Sequence, residues 1–173
     1  MTRNELLLGE WACLGLLYDR RAHGFAVAAE LRPETTIGRI WSLSRPLTYR
    51  SLDQLVERSL VRPVGSEPSD AGPDRTVLAA TRAGRARLRT WLSTPVIHLR
   101  DLRSELLLKI ALAERCGIDI TPMLDAQCER LDEQVARLSA AAFDPSGRVV
   151  DAVALWRHEV ACAGQRFLAQ LRS

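Results

Sequence analysis

Arg39, Ser42, Ser44, Arg45, Thr48, Tyr49 and Arg50 stand close together in the chain with no carboxylate among them. Guanidinium groups and hydroxyls are hydrogen-bond donors. Their concentration suits a partner rich in acceptors, such as nucleic-acid phosphates or the acceptor edge of guanine. Leu52, Leu55 and Val56 follow at helical spacing, Ser44 stands at an N-cap position, and Pro46 suits a first turn. The segment therefore reads as a short helix whose core side is apolar and whose N-terminal turn is free to meet double-stranded DNA. An ordinary solvated helix has the same composition. Arg45 or Arg50 paired with Asp53 or Glu57, or the Tyr49 ring packed on the first helix, would remove that surface. Capping is the competing task for Ser42, Ser44 and Thr48.

Little else in the chain suggests chemistry. His23, His98 and His158 fall in separate elements, and no Ser-His-Asp arrangement, phosphate-binding glycine loop or paired catalytic carboxylates appears, so an enzyme is not expected. Cys13, Cys116, Cys128 and Cys162 are dispersed with no CxxC pair, which argues against zinc or a disulfide framework and reads as four buried small hydrophobes. No cofactor or metal is expected. Trp91 and Trp156 are candidates for lining an effector pocket, although tryptophan at helical spacing among Leu and Val is ordinarily packing. Trp11 and Trp41 are assigned to the core of the N-terminal part.

The 173 residues are 47% hydrophobic, enough for a substantial core. Residues 1–94 hold 14 Arg against 10 acids and residues 95–173 hold 10 Arg and Lys against 11, or +4 and −1, so positive potential concentrates in the first half. A second basic cluster there is formed by Arg75, Arg82, Arg85, Arg87 and Arg89. The apolar run from Leu6 to Tyr18 contains Glu10 and is short for a membrane span, so a cytoplasmic protein without a membrane partner is expected.

Leu6, Leu7, Trp11, Leu14 and Tyr18 recur at three- and four-residue steps, predicting a first helix that ends near Asp19 to His23. Phe25 to Leu31 gives a short second helix stopped by Pro33, and Thr36 to Leu43 leads into the third. Two β-prone runs, Leu60–Val64 and Thr76–Ala80, flank a turn-rich stretch and predict a hairpin over residues 62–76. Three helices followed by a two-stranded ribbon is the order of a winged helix-turn-helix, with helix three in the major groove and the ribbon along the backbone. Arg75 at the ribbon's base is the expected phosphate contact, whereas Glu67, Asp70 and Asp74 at the tip would repel phosphate.

Thr81 caps a fourth helix that Pro95 closes, and a helix from about Leu102 to Glu114 follows. Two long helices then carry stripes: Leu124, Cys128, Leu131, Val135, Leu138 and Ala142 on one, and Val149, Val153, Trp156, Val160, Ala163 and Phe167 on the other. Two helices alone seldom bury both stripes. A two-fold homodimer would bury the excess and set two recognition helices about 34 Å apart, one turn of DNA. The expected organisation is mainly α: a winged helix-turn-helix over residues 1–94 and a helical dimerisation domain over residues 95–173, the latter a candidate for effector sensing.

His23-Gly24-Phe25, the Ser44-x4-Tyr49-x2-Leu52-x2-Leu55 helix, Leu60-Val61, and Thr81-x-Ala-Gly84 stand together in this order. In order and spacing the chain resembles the PadR-like family of bacterial transcriptional regulators over essentially its whole length, in the subgroup with an extended C-terminal domain. That resemblance implies a dimeric repressor on a palindromic operator, a hydroxyl contact from Tyr49 to phosphate, and release by a small aromatic or hydrophobic effector near the dimer interface. Ser59 replaces a common glycine of the family, and Val77 and Leu78 replace the usual aromatics of the wing. The competing function is a helical protein-interaction module on a winged-helix scaffold without sequence-specific DNA binding. The free donors Arg45, Thr48, Tyr49 and Arg50 separate the two, since an interaction module has no need of them.

Overall fold

The computed structural model describes residues 5–68 and 74–172. Two compact units divide the chain, Met1–Ser93 with Arg103–Asp119, and Thr94–Leu102 with Ile120–Ser173. The first is built around α1 (Leu8–Leu16), in which every residue from Gly9 to Leu16 is buried. Glu10 stays in that interior because its Oε2 accepts from the Leu7 amide at 2.8 Å and lies 3.7 Å from Arg58 Nη1. α1 stops earlier than the apolar spacing predicts: Tyr18, the last member of the periodic set, lies past the helix end.

α2 (Gly24–Glu30) and α3 (Arg45–Glu57) pack on α1, and between them the chain makes a tight turn in which the Thr35 hydroxyl accepts from the Gly38 amide. The ribbon consists of β2 (Val61–Glu67) and β3 (Arg75–Ala80), paired from Val61↔Ala80 to Glu67↔Arg75 with a shift between Pro63 and Gly65. The structure adds a strand to the expected two: β1 (Ala22–His23) pairs with the other edge of β3, giving the antiparallel order β1-β3-β2. A two-residue strand is too short to leave a periodic signal. The expected tip residue Asp70 lies outside the described residues.

α4 (Arg82–Leu92) starts where the sequence places it. The Thr81 hydroxyl accepts from the Gly84 amide at 3.0 Å and donates to the Ser59 carbonyl at 2.9 Å. A Cβ on Gly84 would come within 2.1 Å of the Leu60 carbonyl oxygen, so glycine is needed for the helix to seat on the ribbon. The Thr81-x-Ala-Gly84 motif is thus a joint between helix and wing.

The helix expected from Leu102 to Glu114 divides into a π-helical turn (Leu102–Leu106) and α5 (Leu107–Cys116). α5 belongs to the first unit, whereas a division at residue 94/95 assigns it to the second. Leu108, Leu112 and Ala113 are buried, Cys116 Sγ lies 3.6 Å from the Gly15 carbonyl, and Arg115 pairs with Glu30 at 3.2 Å. An apolar stripe in sequence declares a buried face without saying what covers it.

In the second unit, α6 (Thr121–Ala142) and α7 (Ala152–Leu171) form a hairpin. Asp151 caps α7 through the Val153 and Ala154 amides, and Gln127 bonds both the amide and the carbonyl of buried Val96. α6 buries Leu124, Leu131, Leu138 and Ala142 of its expected stripe. α7 differs. It buries Ala154, Ala161 and Leu168, spaced by seven, while Val153 and Trp156 are 68% and 70% exposed and Val149 lies before the helix, bridged to Phe143. Small side chains bring the two helices together, so the bulkier stripe of α7 is left facing outward in the single chain.

All four cysteines are free, but only Cys13 is fully buried; the other three are half-buried, contrary to expectation. Burial, reinforced by Glu10, pushes the Cys13 thiol up to about 12, and burial likewise raises Cys116 to about 11. No helix of the described residues is long and apolar enough to cross a membrane.

Candidate nucleic-acid interface

The first turn of α2 organises the surface. His23 caps it, Nδ1 accepting from the Ala26 amide at 3.1 Å. Gly24 leaves room for the Tyr49 ring, whose Cε1 would lie 2.7 Å from a Cβ at that position. The ring therefore rests on α2, not on the first helix; it remains 42% exposed, and its hydroxyl has no hydrogen-bond partner among the described residues. Phe25 comes next and is 38% exposed. The Arg45 guanidinium, from α3, lies 4.8 Å from its ring centroid, and that of Arg75, from β3, lies 5.5 Å away.

Each such contact contributes roughly 0.5–1 kcal/mol at an exposed site. Their geometric effect is larger. Two arginines from separate elements are held on one aromatic ring, joining the start of α3 and the base of the wing in a single basic surface. Arg50 is exposed on the same helix, and no ion pair ties Arg45 or Arg50 to Asp53 or Glu57 among the described residues; Glu57 instead accepts from Gln54 at 2.9 Å. Glu67 moderates the wing end, lying opposite Arg75 in the ladder and 3.8 Å from His23 Nε2.

One of the expected donors is turned inward. Thr48 is completely buried and its hydroxyl donates to the Ser44 carbonyl at 3.1 Å, so it is structural. Threonine in a first helical turn readily bonds back to the preceding turn, and Leu52 and Leu55 carry it to the inner face. Ser44 occupies the N-cap, yet its side chain makes no cap hydrogen bond; like Ser42 it is exposed and free to donate. Arg39 is exposed but lines a cleft with Trp41 and Arg103.

The two candidate effector residues fall in different units. Trp91 stacks on Trp11 with centroids 4.6 Å apart and planes 9° from parallel, and the ammonium of buried Lys109 lies 4.9 Å from its ring centroid. Packing accounts for Trp91. Lys109 is held by Glu105 at 2.9 Å, while burial lowers its pKa. Trp156 stands on the exposed face of α7. Trp41 is half-buried instead of lying in the core. Among the described residues no group of three or more His, Cys, Asp or Glu is set to hold a metal.

Phe25 is the organising residue that sequence reasoning missed. Its signal was present, an aromatic directly after His-Gly at the start of a short helix, but one sequence does not reveal which cations gather around it.

These elements define a winged helix-turn-helix with a three-stranded sheet, joined to a helical hairpin unit. No protein-family model matches the chain, and no curated protein does. Among solved structures it is similar to Bacillus subtilis PadR in complex with operator DNA, at 15% identity over 95% of this chain and 97% of that one, TM-score 0.48. The same Bacillus subtilis protein in complex with p-coumaric acid is matched at 15% identity over 95% and 96%, TM-score 0.46. The PadR-like transcriptional regulator BC1756 from Bacillus cereus is matched at 18% identity over 98% and 97%, TM-score 0.43.

Proposed function

We propose that the chain is a PadR-like transcriptional regulator that binds double-stranded DNA as a homodimer, repressing from a palindromic operator in the cytoplasm. The observation that carries this reading is the Phe25 bracket, with Arg45 of α3 and Arg75 of the wing on one ring. A winged helix must present these two elements to DNA together, and the bracket gives them one basic surface with Arg50 and the free Tyr49 hydroxyl beside it. In this reading Arg45 and Arg50 reach bases or phosphates in the major groove, Tyr49, Ser42 and Ser44 donate to phosphates, and Arg75 clamps the backbone at the wing. The outward stripe of α7, with Val153 and Trp156, supports association with a second copy, which would place two such surfaces on the half-sites of one operator.

A salt-series titration on DNA from upstream of its own gene, with unrelated DNA as control, tests the proposal. The wild type binds the operator more tightly, and log affinity falls linearly with log salt. Arg45→Ala with Arg50→Ala lowers affinity by roughly tenfold to a hundredfold and flattens the salt slope by about one to two. Unchanged affinity and slope in the double variant would sink the assignment of α3. Glu67 and Asp74, exposed toward the wing tip, favour the alternative of a protein-interaction module; equal weak binding to both DNAs is its signature.

A further inference from the structure

The second basic cluster extends beyond the surface that joins α3 to the wing. Arg82, Arg85 and Arg89 stand on one face of α4, at steps of three and four residues, a stripe of cations about 10 Å long. The stripe walls a groove in the first unit made of two adjoining clefts, of about 530 and 360 Å³, which share Arg21, Ala79 and Arg85. Arg62 of β2 and Arg20 of the turn before β1 complete the set. Among the described residues, Asp19 is the single lining carboxylate. Neutral acceptors hold the stripe in place. Arg85 Nη1 donates to the Ala80 carbonyl at 2.7 Å, and Arg89 Nε donates to the Tyr18 hydroxyl at 2.7 Å, its guanidinium 5.5 Å from that ring's centroid. Such bonds fix a guanidinium without cancelling its charge. Arg20 lies 3.6 Å from Glu30, but Arg21, Arg62 and Arg82 are exposed and no carboxylate pairs with them among the described residues. Like charges gathered this closely repel one another, a cost that an anionic partner removes.

The walls select the partner. The apolar lining is Leu17, Tyr18, Val64 and two alanines, none of them exposed, so the groove offers no anchor to a peptide, whose interfaces centre on buried apolar side chains. A sugar–phosphate backbone needs no such anchor. The stripe on α4 matches the run of about three phosphates of one strand, each taking 3.4 Å of the duplex axis. Ala79 lies four residues along β3 from Arg75, roughly 13 Å at the rise of a strand, which sets the groove apart from the Phe25 bracket. We propose that this groove is a second DNA-binding surface, one that holds the phosphate backbone of a duplex without regard to its sequence. Arg62, Arg82, Arg85 and Arg89 supply the cations. The assignment does not depend on α3 reading an operator, because none of its residues belongs to that helix.

The probe is a fluorescently labelled duplex unrelated in sequence to the DNA upstream of the gene, titrated with the full-length protein over a salt series. Arg62→Ala with Arg82→Ala is expected to weaken its binding by about tenfold and to flatten the salt slope by about one to two. Both side chains are exposed, with no hydrogen bond or ion pair to hold the fold among the described residues. Arg62→Lys with Arg82→Lys, which keeps the charge, recovers most of the affinity. Unchanged affinity and slope in the alanine variant overturn the groove, and so does a lysine variant as weak as the alanine one. Polyglutamate is the rival probe. If the wild type binds it more tightly than the duplex and the alanine variant loses it alone, the groove takes an acidic protein segment and the proposal falls. Equal binding of upstream and unrelated DNA by the wild type would count against the proposed function alone, since the groove is judged on the unrelated duplex.

Discussion

α1 and α7 use apolar residues in opposite ways. α1 is short and buries its whole length from Gly9 to Leu16, enclosed by α3, α4 and α5. α7 is more than twice as long, packs against α6, and buries three residues, leaving Val153 and Trp156 largely exposed. The first unit closes its own core. The second covers only one face of its final helix, leaving exposed the apolar surface on which the proposed homodimer rests.

The largest expected effect breaks this comparison at α7. Val153→Glu with Trp156→Glu places charges on the outward stripe without touching Ala154, Ala161 or Leu168, which face α6. Sedimentation is expected to show a monomer with unchanged helical content. Operator affinity falls by roughly a hundredfold to ten-thousandfold as two-site avidity is lost. A double variant that still sediments as a dimer would mean that α7 does not carry the association.

A smaller effect separates the proposed DNA-facing surface from the proposed associating one. Phe25→Leu keeps an apolar side chain on α2 but removes the ring that holds Arg45 and Arg75. Operator affinity is expected to drop by roughly threefold to tenfold, from two exposed cation–π contacts. The oligomeric state stays as in the wild type. If Phe25→Leu binds the operator as well as the native protein does, the two arginines are positioned by something other than the ring.

Much of the fold was legible because its signals are local. Ser44 and Thr81 mark helix starts, Pro46 fits the opening of α3, and the turn-rich stretch between the β-prone runs gives the hairpin. The motif His23-Gly24-Phe25 was visible too, although its three tasks, a cap, a space for Tyr49 and a ring for two arginines, exist only once α2, α3 and β3 meet. The misplacements share one cause. Thr48 and the stripe of α7 were read from residue type and spacing, which say that a side chain is polar or apolar but not which neighbour occupies the space beside it. Leu108 and Leu112 likewise announce a buried face, and only the structure covers it with α1.

The smallest effect sharpens the other half of the comparison, since a self-contained unit should register a local repair without help from a partner. α3 and α5 end in the same way. The Ser59 amide donates to Val56 and the Leu60 amide to Leu55; the Gly117 amide donates to Glu114 and the Ile118 amide to Ala113. Both closures need a left-handed residue, supplied by Gly117 at φ 63° and by Ser59 at φ 57°. For serine that conformation is strained, because its Cβ crowds the neighbouring carbonyl. Ser59→Gly is expected to stabilise the protein by about 0.5–1 kcal/mol after allowing for the greater freedom of glycine in the unfolded chain, and Gly117→Ala to destabilise it by about as much. The Thr81 bond to the residue 59 carbonyl is kept in the first variant, since it uses the backbone. Thermal unfolding over a range of protein concentrations checks both. A self-contained first unit gives shifts that do not change with concentration, whereas a gain at Ser59 that appears only at high concentration would show that this unit also depends on association.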